Sequence, residues 1–166
     1  MGVCLQRLLE ERKEFRKNRP FGFSAKPKTL PDGSADMLTW ECIVPGKDGT
    51  ACQGANYPCT LIFSEDYPTS APKARMPKGF FHVNVCPKSG GVCLSILKDD
   101  VPSHLGIKQG WTPSLTVMQV LTGIQELLHT PNFRSVLGKG AYEVYSRGGI
   151  EAYNAATRKQ ARMYSS

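Results

Sequence analysis

Apolar residues recur at helical spacing at the start of the chain: Leu5, Leu8, Leu9 and Phe15 predict one side of an amphipathic helix from Leu5 to about Lys17, which Pro20 stops. The period then shortens. Phe21–Lys26 alternates large and small residues and reads as a first strand, Met37–Val44 as a second, Tyr57–Phe63 as a third and Lys73–Met76 as a short edge strand. Pro31-Asp32-Gly33 and Pro45–Thr50 are turns between them, and Asp66–Pro72 is irregular because its two prolines remove donors. Beyond position 93 the helical period returns. Thr112 is the expected N-cap with Pro113 in the first turn, and Leu115, Met118, Leu121, Ile124, Gln125 and Leu128 mark a long helix ending before Pro131. Two more helices are expected at about 141–147 and 150–163, separated by Gly148-Gly149. Strands first and helices afterwards predict an α+β fold: an N-terminal helix, a four-stranded antiparallel meander, then a long central helix and C-terminal helices, in one domain spanning 1–166.

Composition narrows the class. A chain of 166 residues, 40% hydrophobic and 21% charged, is expected to be a soluble globular domain with its own core. No apolar run approaches the ~18 residues of a membrane span and no leader-like segment follows the start, so an intracellular protein without a membrane partner is expected. Met1–Gln6 imitates an N-myristoylation signal, but that signal needs Ser or Thr where Gln6 stands. The net charge of +7 predicts acidic partners; it is densest at Arg7, Arg12, Lys13, Arg16, Lys17 and Arg19, with a second group at Arg158, Lys159 and Arg162. Aromatics do not interleave with these cations as a nucleic-acid stacking platform requires, which leaves a solvated face or a protein-docking face.

Cysteines fall at 4, 42, 52, 59, 86 and 93, with no C-x-x-C pair and histidine only at 82, 104 and 129, so no metal site is expected. The thiols are expected to be reduced, most of them small apolar fillers. The stretch His82–Leu97 carries the chemistry. Asn84 and Cys93 stand nine positions apart across a bend that Pro87, Gly90 and Gly91 permit. A thiolate can hold an acyl group as a thioester, and an amide N–H can stabilise the oxyanion formed when an amine attacks it. Asparagine at a turn also has the plainer reading of a turn residue.

The order of helix, meander, tyrosine-proline turn, His-x-Asn turn, lone cysteine and tryptophan-proline helix resembles the ubiquitin-conjugating enzyme fold. Pro20-Phe21-Gly22-Phe23, Asp32-Gly33-Ser34, Trp40-Glu41-Cys42, Pro45–Thr50, Val92–Leu97 and Gly123–Leu128 resemble the SUMO-conjugating enzymes of that superfamily in particular. The resemblance spans essentially the whole chain. It implies that an activating enzyme passes the C-terminal carboxyl of SUMO or a related modifier to Cys93 as a thioester, which a lysine of a substrate protein then attacks to form an isopeptide bond. It implies no cofactor, since ATP is consumed by the activating enzyme, and no need for nucleic acid. Nuclear and cytoplasmic residence and a cooperating ligase are further expectations. By the same resemblance Cys93 is the acceptor, Asn84 the oxyanion donor and His82 a brace of the turn; as a free-standing residue His82 has the alternative of a general base. Tyr142, Ser135, Ser89, Lys73 and Arg75 match the substrate-lysine groove, although Tyr142 also reads as a core tyrosine, and Arg12, Arg16 and Arg19 match a modifier-binding face.

Four departures stand out. The family's His-Pro-Asn turn is His82-Val83-Asn84 here, and a valine without proline's fixed φ is expected to aim the asparagine less rigidly and slow transfer. Ser135 stands where the SUMO enzymes carry an aspartate and can only hydrogen-bond; phosphorylation would restore the charge, and an ordinary loop serine is the plain alternative. The loop between Leu97 and Trp111 is longer than usual, so Asp99 or Asp100 is expected to be able to supply the missing carboxylate. The turn before Cys93 is one residue longer and holds Cys86, an idle thiol or a disulfide partner. The loop insertion makes a ubiquitin-class enzyme the nearest rival. A non-catalytic modifier-binding module would lack Cys93, and a papain-like protease needs a histidine placed farther from the cysteine than His82.

Overall fold

The computed structural model describes residues 2–99 and 110–165. Helix α1 (Gly2–Asn18) buries Cys4, Leu8, Glu11 and Phe15. Leu5 and Leu9 were expected on that face but are 37% and 50% exposed. The small thiol of Cys4 takes the inner position, its Sγ 3.4 Å from the Ser64 carbonyl, while Leu8 and Phe15 are buried as expected. Glu11 is buried because it has two donors: Oε2 accepts from the Tyr67 hydroxyl at 3.1 Å and the Val117 N–H at 2.7 Å. It thereby fastens α1 to the first turn of the central helix.

Strands β1 (Ser24–Thr29), β2 (Ala35–Pro45), β3 (Asn56–Ile62) and β4 (Lys73–Arg75) form an antiparallel sheet in the order β1-β2-β3-β4. The first strand starts later than its pattern predicts: Gly22 turns with φ 84° and Phe21 is fully exposed. Pro27 lies inside β1, which is tolerated because β1 is an edge strand, and the register slips between Pro27 and Lys28. On the inner face Trp40, Cys42 and Val44 of β2 sit opposite Leu61, Cys59 and Tyr57 of β3, all buried. They pack on Val120, Leu121 and Ile124 of α2 (Val117–His129).

The N-cap of α2 is Thr116, not Thr112. The Gln119 N–H donates to the Thr116 hydroxyl and the Thr116 N–H to Gln119 Oε1, a reciprocal pair that outweighs Pro113, whose segment is only a turn. Helix α3 (Lys139–Met163) is broken at Gly149 (φ 71°, ψ −170°), where the glycine pair predicts a separation of two helices. No described helix is long and apolar enough to cross a membrane.

Candidate active site

The reactive stretch is a tight antiparallel loop laid along β4. Val85 bridges Val92, the Cys93 N–H donates to the Asn84 carbonyl at 2.9 Å, and the Cys86 N–H to the Gly91 carbonyl at 2.9 Å. Its outer segment hydrogen-bonds to β4 through Val92 N–H to Ala74 O and Met76 N–H to Gly90 O. Gly90 has φ 80°, and a Cβ there would meet the Met76 carbonyl oxygen at 1.9 Å, so only glycine permits this approach. Cys93 is half-buried just before a single turn of 3-10 helix (Ser95–Leu97), and its Sγ lies 3.5 Å from Ser135 Oγ. Ser135 thus stands at the thiol, as its match to the family's aspartate implies.

Asn84 is buried and its side chain is fully engaged. Nδ2 donates to the carbonyls of Asn132 at 2.8 Å and Ser135 at 2.7 Å, and Oδ1 accepts from the Asn132 N–H at 2.8 Å. In this resting form neither amide proton points freely at the thiol. The side chain pins the loop after α2, which carries Ser135, against Cys93.

His82 is a brace. Nε2–H donates to the Leu127 carbonyl at 2.9 Å and Nδ1 accepts from the Asn84 N–H at 3.0 Å. Burial pushes its pKa down to about 4, so the ring is neutral with both nitrogens occupied, and it is closed to work as a general base. The unfolded ring takes up a proton near pH 6.5 and the folded one only near 4. Stability is therefore complete above pH 6.5 and falls as pH drops through this window, by about 3 kcal/mol in all. Urea melts at pH 7 and 4.5 check this: His82→Gln is expected to lose that component of the acid loss, whereas an equal loss in both proteins would contradict it.

The expected loosening by Val83 is not what the fold shows. Its side chain is fully buried, its N–H donates to the Tyr153 hydroxyl at 3.1 Å, and its carbonyl accepts from Leu137 N–H and Gly138 N–H. Valine carries an anchored N–H that proline lacks. Sequence reading missed Tyr153; a buried tyrosine on a helix gives no sign of where its hydroxyl ends.

Lys73 and Arg75 alternate with buried Ala74 and point outward. With Ser89, Gly91, Leu97 and Val92, the residue before Cys93, they line a groove of about 210 Å³. Tyr142 is 39% exposed and not a core residue; it lies on the first turn of α3 near Tyr145, which stacks on Phe133 at 3.7 Å. Asp99 Oδ1 accepts from the Ala71 N–H at 3.1 Å, tying it to the turn before β4. Asp100 and most of the long loop lie outside the described residues. Arg12 and Arg16 sit on α1 and Arg19 just beyond it; Arg12 is half-buried, the other two exposed.

The six thiols are unbridged. Burial pushes those of Cys4, Cys42 and Cys52 up, and that of Cys59 to about 12. Cys86 differs: hydrogen bonds from the Ser89 hydroxyl and the N–H groups of Ser89 and Lys88 hold it below the ordinary thiol range. Among the described residues no cluster of His, Cys, Asp or Glu could hold a metal.

The ubiquitin-conjugating enzyme family model matches residues 7–161. The chain belongs to the ubiquitin-conjugating enzyme family. It is 45% identical over 163 residues to a SUMO-conjugating enzyme of Arabidopsis thaliana, covering 98% of this chain and 96% of the relative. It is 42% identical to one of Dictyostelium discoideum over 163 residues, with the same coverage. In this conjugating enzyme Cys93 is a half-buried thiol that meets the Ser135 hydroxyl on the loop pinned by Asn84.

Proposed function

We propose that this conjugating enzyme transfers SUMO. The near full-length likeness to two SUMO-conjugating enzymes carries the reading, and the groove lined by the cations Lys73 and Arg75 with Ser89 and with Val92, the residue before Cys93, supports it. Cys93 Sγ takes the modifier's C-terminal carboxyl from the activating enzyme, whose thiol leaves. A lysine amine then adds to the thioester carbonyl, the C–N bond forms, the C–S bond breaks, the Cys93 thiolate departs with the electron pair, and the proton the nitrogen sheds passes to that thiolate or to water. For the oxyanion, Asn84 redirects one amide proton from the Ser135 carbonyl, the bond nearest the thiol along the loop. Tyr142 and Ser135 border the incoming lysine, the cations of Lys73 and Arg75 select acidic residues near it, and Arg12, Arg16 and Arg19 hold a modifier non-covalently. No cofactor, nucleic acid or membrane is required. Substrate proteins and a ligase are partners, in nucleus and cytoplasm.

Charging with purified activating enzymes tests the reading: SUMO is expected to form a reductant-sensitive adduct and ubiquitin none, and the reverse would make this a ubiquitin-class enzyme. Ser135→Asp is expected to raise discharge onto free lysine on the order of 10-fold by placing a proton acceptor at the amine. An unchanged rate would show that no carboxylate is missing.

A further inference from the structure

The second half of α3 grips the active-site turn at two points. The Gln160 side chain holds the Phe81 backbone from both sides: Phe81 N–H donates to Oε1 at 2.6 Å and Nε2 donates to the Phe81 carbonyl at 3.0 Å. Two residues on, the Tyr153 hydroxyl accepts from the Val83 N–H at 3.1 Å. Tyr153 is 1% exposed, and its ring packs on Phe81 at 5.0 Å, Phe133 at 5.2 Å and His82 at 6.4 Å. It belongs to a small core with Val83 and Ala141, separate from the one under the sheet. One aromatic residue therefore touches the turn that carries Asn84 and, through Phe133, the loop that carries Ser135.

Valine at position 83 creates the need for this contact. Proline would fix φ and bring no donor, whereas valine leaves φ free and puts an N–H into a buried core, where it must find an acceptor. We propose that Tyr153 is a positioning residue for lysine transfer, its hydroxyl fixing the Val83 peptide and thereby the aim of Asn84 and the Ser135 loop at Cys93. The reasoning rests on Cys93 being the thioester site. The chain of bonds is continuous: Tyr153 Oη to Val83 N–H, the Asn84 side chain to the carbonyls of Asn132 and Ser135, and Ser135 Oγ to Cys93 Sγ.

The test uses the full chain, charged with modifier and chased with free lysine after the activating enzyme is removed. Tyr153→Phe keeps the ring and removes only the hydroxyl that accepts from the Val83 N–H. It is expected to charge to the wild-type extent and discharge about 10-fold more slowly, since small misplacements of reacting groups cost large factors in rate. Adding Val83→Pro to Tyr153→Phe removes the donor left without a partner and fixes φ, and is expected to restore most of the rate. A purely structural role would lower charging and discharge together, in step with the folded fraction, and would show no rescue. That pattern, or a discharge rate untouched by Tyr153→Phe, would overturn the proposal. A second arm needs no modifier: NMR of the Asn84 side-chain amide is expected to show exchange-protected protons in the wild type and faster exchange in Tyr153→Phe. Equal protection would overturn the positioning role even if Cys93 charged with neither modifier.

Discussion

Cys93→Ala is expected to abolish conjugation, by about 10³-fold or more, while leaving the fold intact. The thiol is half-buried and, among the described residues, its hydrogen-bond contact is the long one to Ser135 Oγ at 3.5 Å, so removing it strands no fully buried polar group there. The backbone bond from Cys93 N–H to the Asn84 carbonyl survives the change. Cys86, in the same loop, is held below the ordinary thiol range by Ser89 and Lys88. If thiolate character alone made an acceptor, Cys86 would take the modifier once Cys93 was gone. It lacks the Ser135 loop that Asn84 holds over Cys93, so no lysine-dischargeable adduct is expected. Charging assays with Cys93→Ala, alongside thermal melts, check both halves.

Asn84→Ala is expected to cost both stability and rate. It deletes three hydrogen bonds of a buried side chain and leaves the Asn132 N–H and the Ser135 carbonyl without that partner, while the Asn132 carbonyl keeps the Ser135 N–H. A loss of about 2–3 kcal/mol in urea unfolding follows from the stranded groups. Discharge onto lysine is expected to fall on the order of 10²-fold, the range for removing a donor aimed at a developing oxyanion. The two readouts separate the roles. If stability falls while discharge per folded molecule holds, Asn84 is a brace alone and the oxyanion is stabilised by other groups.

What the chain discloses before folding follows from how local each signal is. The sheet and the break in α3 rest on period and glycine, which are read within a few residues, so β2, β3 and Gly149 emerge clearly. The start of β1 and the N-cap of α2 are misplaced because partners decide them: β1 begins where β2 offers a register, and Thr116 wins through Gln119. Cys93, Asn84 and Ser135 stand out by their resemblance to a known active site, and the fold brings them together. The true work of Val83 and Tyr153 is hidden. Their hydrogen bond spans 70 positions, and no spacing rule joins a turn valine to a helix tyrosine. The partner of Asp99 is hidden likewise: nearness in sequence to Cys93 says nothing of which N–H its carboxylate meets, and it meets Ala71.

The central claim is that one thiol carries the modifier as a thioester. Mass spectrometry of the protein charged by the SUMO-activating enzyme, digested without reductant, tests it most directly. The modifier's C-terminus is expected on the peptide containing Cys93 alone, released by reductant and by free lysine. A modifier found on Cys86 or another cysteine, or an adduct that neither agent releases, would contradict the account.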